Sequence, residues 1–360
     1  MYRAMRRLLI WLPLVTACGA VAACGAVTAD PDLDPTPDAT PTTAPAPLGT
    51  LGTARVLSDP CPQGAGALPD TTCELVEVTC PGVAPLVAQV RITPPASGVN
   101  LRGTVIAGTG QGGNTFYEAN SAPSAVLLRD LSVAGFRVVQ RSWLDFWENG
   151  PGGLVALSCR YATLLRYVYT EVHHTTDGAF CATANSGGGG EIAYALAYYG
   201  ADQVLDLALP SGGPPMARVD LGCADSAEWL AHCTSIPPGS TCEPSAMQCA
   251  YGPGNFDVID APYAPDTHCE DRDATFSQTF YEDSILGPGA DLDYPKTRVV
   301  QILGDRDCTI AMPQATLWYD AITAEKSLGF AAQTPHNTHT TGPGATAIRD
   351  AILDGCTPRH

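Results

Sequence analysis

Lysine is almost missing from this chain. Lys296 and Lys326 are the only two in 360 residues, and arginine supplies the rest of 19 basic groups set against 37 acidic ones. A formal charge of −18 offers no basic field to a polyanion. That argues against nucleic acid and against anionic membrane surfaces as partners. Long hydrophobic runs are scarce too. The apolar stretch Leu8–Ala17 is too short to span a bilayer. No two of the 14 cysteines form a close C-x-x-C pair, so zinc is a poor reading and no metal site is assigned. Internal repeats are absent.

What is there begins with an address. Arg3, Arg6 and Arg7 precede the short apolar run, which reads as a secretory signal over residues 1–23. Val15-Thr-Ala-Cys18 and Val21-Ala-Ala-Cys24 each resemble the bacterial lipobox, whose cysteine is lipidated and becomes the first residue. The resemblance implies an exported lipoprotein, held at the membrane by its N-terminal lipid only. Ordinary cleavage would leave a periplasmic or extracellular chain. Cysteine parity favours Cys24 over Cys18, because twelve cysteines then remain to pair. Their connectivity does not follow from spacing. Cys61, Cys73 and Cys80 lie close enough to predict at least one early bridge.

Residues 24–50 are rich in proline, threonine and aspartate and cannot build a core. They read as an extended tether, with the folded part spanning 51–360. Glu74–Thr79 and Leu86–Ile92 predict a hairpin across a Cys-Pro-Gly turn. Strands are then expected at 103–107, 136–140, 204–209, 297–303 and 328–332. Helices are expected at 122–131, 154–172, 312–324 and 344–353. This alternation predicts an α/β fold, a mostly parallel sheet entered through an antiparallel hairpin. It breaks between about 214 and 294, where glycine, proline and five cysteines crowd. A structureless loop of that length does not suit a compact domain, so the stretch reads as a disulfide-braced cap insertion.

The stretch Phe180–Gly200 carries the chemistry. Small and apolar residues lead into Ala184-Asn-Ser186-Gly-Gly, and an alanine-rich helix follows. A serine on a tight strand-to-helix turn is a nucleophile elbow. Serine needs a base within hydrogen-bond reach, and the base needs an acid to orient it. Asp307 follows the strand ending at Leu303, with Asp305 as its rival. His336 follows the last strand, with His339 as its rival. The order Ser, Asp, His, with each group at a strand end, suits an open α/β sheet that binds ligands along one edge.

These motifs resemble those of the α/β-hydrolases over roughly Glu74–Leu353. Thr109-Gly-Gln-Gly-Gly113 is similar to that family's oxyanion loop, with threonine for histidine. Ala184 and Pro335 stand where glycines are usual. The resemblance implies a serine esterase or lipase. Ser186 is its nucleophile, His336 its base and Asp307 its acid, and the amides of Gln111 and Gly187 form its oxyanion hole. The substrate implied is a small-molecule or polymeric ester, and no metal or organic cofactor is required. A peptidase with the same triad, or a non-catalytic surface binding module on this scaffold, are the alternatives.

Overall fold

A computed structural model describes residues 49–174, 177–224 and 226–359. The expected signal, both lipidation cysteines and most of the tether lie outside the described residues. The strands are β1 (Thr53–Leu57), β2 (Thr72–Cys80), β3 (Val83–Thr93), β4 (Gly103–Gly108), β5 (Phe136–Trp143), β6 (Ala179–Asn185), β7 (Leu207–Ser211), β8 (Asp293–Gly304) and β9 (Thr323–Ala331). They form one sheet in the order β1-β2-β3-β5-β4-β6-β7-β8-β9. The pairs from β1 to β3 and from β3 to β5 are antiparallel, and every pair from β5 onward is parallel. The chain therefore has the mostly parallel α/β sheet, entered through antiparallel strands, that its sequence predicts.

The central strands are apolar on both faces because helices cover both. Val105 and Ala107 of β4, Cys181 of β6 and Leu207 and Leu209 of β7 point to one face. There they meet Leu127 and Leu131 of α1 (Ala122–Val133) and Ile348 and Ile352 of α9 (Gly342–Gly355). Their neighbours Ile106, Ala182 and Ala208 point the other way. They pack toward α2 (Gly153–Tyr167) and α3 (Gly187–Tyr199). This period-two split of continuous apolar runs is the mark of buried parallel strands.

Between β7 and β8 the chain leaves the sheet. It forms the short helices α4 (Val219–Cys223), α5 (Ala227–Cys233), α6 (Pro253–Asp260) and α7 (Ser277–Glu282). Disulfides Cys223–Cys269 and Cys233–Cys249 brace this segment internally. Cys242–Cys308 joins it to the loop after β8. Arg272 adds a polar brace, donating to the carbonyls of Gly222, Cys223 and Tyr251. Three more disulfides, Cys61–Cys73, Cys80–Cys159 and Cys181–Cys356, tie the sheet to its loops and helices. The helix α8 (Ala311–Ala321) ends earlier than expected. Residues from Thr323 onward pair in parallel with β8, and that pairing outweighs the helix propensity of Ala324-Glu-Lys.

Candidate active site

Ser186 sits between β6 and α3 with φ 51° and ψ −121°. A non-glycine residue there is strained, at a cost of about 1–3 kcal/mol. The surroundings hold it. Its amide donates to the Ser211 carbonyl at 2.8 Å, and its carbonyl accepts from the Gly190 amide at 3.0 Å. The glycines after it are needed for close approach. A Cβ on Gly187 would lie 2.5 Å from the Gln111 carbonyl oxygen. One on Gly188 would lie 2.4 Å from the Thr109 carbonyl oxygen and 2.9 Å from the Ala184 Cβ. The absent Gly188 side chain is thus what makes room for alanine at 184.

Ser186 Oγ lies 2.8 Å from His336 Nε2, and His336 Nδ1 lies 2.9 Å from Asp307 Oδ2. A carboxylate can only accept, so Nδ1 carries the hydrogen and Nε2 is left to accept from the serine hydroxyl. Asp307 is buried, and its second oxygen accepts from the Thr309 amide at 2.9 Å and the Thr309 hydroxyl at 2.7 Å. Asp305 has a different place. Its carboxylate accepts from the Thr334 amide at 2.9 Å and its carbonyl from the Thr241 amide at 2.6 Å. His339 is buried against Tyr117, with ring centroids 4.6 Å apart, and its Nε2 lies 3.0 Å from Asn120 Nδ2. Burial, helped by the nearby His336, pulls its pKa down to about 4. Asn185 braces the elbow: its Oδ1 accepts from the Thr338 amide at 3.1 Å, linking β6 to the His336 loop.

The Thr109–Gly113 loop arches over Ser186. Gln111 takes a left-handed φ of 47°. Its nitrogen would lie 3.1 Å from a Cβ on Gly187, so the two residues are neighbours in space. Among the described residues, neither the Gln111 nor the Gly187 amide donates to another protein group. Both are free to donate to a ligand. Gly187 also opens α3, whose N-terminal end favours negative charge.

No family model matches the chain, and no curated protein matches it. Solved structures do. Brefeldin A esterase, described as a bacterial homologue of human hormone-sensitive lipase, aligns with a TM-score of 0.50 at 15% identity, over 81% of this chain and 79% of that one. The chain has the α/β-hydrolase fold. Two further alignments are looser. Est1E from Butyrivibrio proteoclasticus gives a TM-score of 0.47 at 11% identity, over 78% of this chain and 98% of that one. Acetyl xylan esterase 1 from a Thermoanaerobacterium species gives 0.45 at 11% identity, over 85% and 88%.

Within this α/β-hydrolase fold, an ion pair that sequence reasoning missed lies beneath the Thr109–Gly113 loop. Arg141 of β5 and Glu191 of α3 are fully buried and bonded to each other. Arg141 also donates to the carbonyls of Gly113 at 2.8 Å and Thr109 at 3.2 Å, the two ends of the loop. Glu191 accepts in addition from Trp143 Nε1 at 2.7 Å. Burial lowers the Arg141 pKa only to about 10, so it stays charged at neutral pH. The pair joins the loop to the elbow helix. A signal was present in the sequence: Glu191 is a lone charge in a helix that is otherwise apolar all round, and a buried charge needs a partner. Trp143 and Trp147 are core residues, while Phe146 packs on Gly112.

Two cavities meet at Ser186. One, of about 480 Å³, is walled by Asn114, Thr115, Asn120, Asn337, His339 and Thr340. The other, of about 210 Å³, is walled by Met216, Tyr251, Val258, Ile259, Ile310 and Ala311. Four of those six come from the segment between β7 and β8. Ser186, Gln111 and His336 border both.

Proposed function

We propose that this protein is a serine hydrolase that cleaves carboxylic esters. The observation that carries the reading is the continuous hydrogen-bonded chain Ser186–His336–Asp307, with the serine strained at the N-terminus of α3. Ser186 Oγ attacks the carbonyl carbon while His336 Nε2 takes its proton. Asp307 holds the imidazole in that tautomer and stabilises the imidazolium. The amides of Gln111 and Gly187 receive the oxyanion. The bond to the alcohol oxygen then breaks as His336 returns the proton to it, leaving an acyl group on Ser186. Water adds by the same route in reverse roles, releasing the acid and restoring the serine hydroxyl. Asp305 and His339 belong to the supporting structure in this reading.

The disulfides suit an oxidising compartment, and no helix of the described residues is long and apolar enough to cross a membrane. Export, with lipidation at Cys24 or else Cys18, fits both and completes the proposal. Residues 51–360 form the hydrolase domain, and about 214–294 its cap.

The test is Ser186→Ala against p-nitrophenyl butyrate, with a fluorophosphonate probe on the parent. Hydrolysis should fall by at least about a thousandfold and the label should vanish. Parent-rate hydrolysis by the variant would refute Ser186 as nucleophile. A folded parent that neither labels nor hydrolyses would favour a binding module on this scaffold.

A further inference from the structure

The two cavities at Ser186 differ in chemistry in a way that sorts the two halves of an ester. The larger is a basin of neutral hydrogen-bonding groups. No lysine, arginine, aspartate or glutamate lines it, in a chain that carries 37 acidic residues. Five of its lining residues are amides and three are threonines. Each primary amide offers two donors and an acceptor, and each hydroxyl offers both roles. Much of this capacity is unspent. The Asn114 side chain makes no hydrogen bond among the described residues, and Asn337 uses only its oxygen, at 3.4 Å from Asn185 Nδ2. His339, held neutral by burial, adds no charge at working pH. A cation or an anion finds no counter-charge here. A purely apolar group would strip water from these amides and return nothing.

The smaller cavity is mainly apolar. Proline, methionine, tyrosine, valine, isoleucine and alanine make most of its wall, with Gln248, Asn255 and Thr309 as polar exceptions, and its volume of about 210 Å³ exceeds the roughly 150 Å³ that accommodates one benzene ring. His336 borders both cavities, but its loop runs on through Asn337 and His339 as the wall of the basin alone, and the oxygen it must protonate is that of the alcohol, so the alcohol is assigned to the basin.

Resting on the hydrolase reading above, we propose that the substrate is an ester of a neutral polyhydroxylated alcohol of the sugar class, seated in the polar basin. Its acyl group is apolar and short, or a single ring, and is seated in the cavity under the β7–β8 segment. Asn120 and Asn337 set specificity for the alcohol, and Val258 sets it for acyl length. The reaction is the acyl transfer to water already written, with the sugar hydroxyl as the group released.

The test holds the acyl group constant. The intact protein is assayed on methyl 6-O-butyrylglucoside, hexyl butyrate and butyrylcholine. The sugar ester should exceed both others at least tenfold in kcat/KM. In Asn120→Ala and in Asn337→Leu, the ratio of sugar ester to p-nitrophenyl butyrate should fall at least tenfold. Val258→Trp should move the acyl preference from butyrate toward acetate. A parent that prefers the hexyl or choline ester overturns the proposal, and so does an unchanged ratio in both asparagine variants. Failure of the underlying reading looks different: no ester is turned over and Ser186 takes no fluorophosphonate.

Discussion

Replacing Glu191 by glutamine probes the link between the core and the chemistry. The substitution keeps the side chain's size and removes one charge. Glu191 now accepts from Arg141 with one oxygen and from Trp143 Nε1 with the other. Glutamine can accept from one of them, and its amide then turns N–H groups toward the second donor. Arg141 stays buried without its counter-charge. Removing one partner of a buried pair costs about 3–5 kcal/mol, so the urea midpoint should drop accordingly. The catalytic consequence is separate. Arg141 holds the Thr109 and Gly113 carbonyls, and the loop between them carries Gln111. Losing an oxyanion donor outright costs about 10²–10³ in kcat. Loosening one should cost about 10–100-fold, with KM changed about threefold or less. The assay is urea unfolding, with kcat and KM for p-nitrophenyl butyrate measured where circular dichroism shows the variant folded. The double variant Glu191→Gln with Arg141→Met separates the two effects. It removes the orphaned charge and should regain stability, yet it still lacks the donors to the loop and should not regain kcat. A folded Glu191→Gln protein with kcat within twofold of the parent would refute the positioning role. So would a double variant that regains rate along with stability.

Two further outcomes follow from the same geometry. His339 is neutral in the folded chain down to about pH 4, whereas an unfolded histidine takes its proton near 6.5. Its contribution to stability is therefore full above pH 6.5 and is lost as pH falls toward 4, by an amount on the order of 3 kcal/mol. Urea titrations at pH 7 and pH 4.5 should show a smaller acid loss in His339→Gln than in the parent, and equal losses would contradict this. Gly187→Ala puts a Cβ 2.5 Å from the Gln111 carbonyl and must push the loop away. Steady-state kinetics should show kcat lower by about a hundredfold, and a near-parent kcat would mean that the loop yields without harm.

The sheet was legible where its strands are buried on both faces. β4 and β6 are short runs of mostly apolar and small residues, buried throughout, as a parallel strand covered on both faces requires. β1 escaped notice because Thr53–Leu57 is a half-exposed edge strand that pairs with β2 alone and needs no such run. β7 lies at 207–211, a turn later than the apolar residues suggest, because Ala201–Gln203 form a short helical turn whose C-cap is the buried Val204. At the site, the residue types and their order were readable, but Asp305 beside Asp307 and His339 beside His336 were not separable by type. Two or three residues along a loop reverse a side chain's direction, and hydrogen bonds from Thr334 and Asn120 occupy the other two. The Arg141–Glu191 pair and both cavities join segments far apart in the chain, and no local pattern reports that.

The bridge between Cys242 and Cys308 has a kinetic meaning. The segment over Ser186 is closed on itself by two disulfides and fastened by this third one next to Asp307. Gln248 and Thr241 add backbone bonds from it to Cys308 and Asp305. Such a cover cannot swing as a gate without tearing the acid loop along with it. It has no need to, because a quarter of the His336 side chain is already open to solvent. In the hydrolase proposed above, substrate then reaches the serine by diffusion through the basin, with no opening step to wait for.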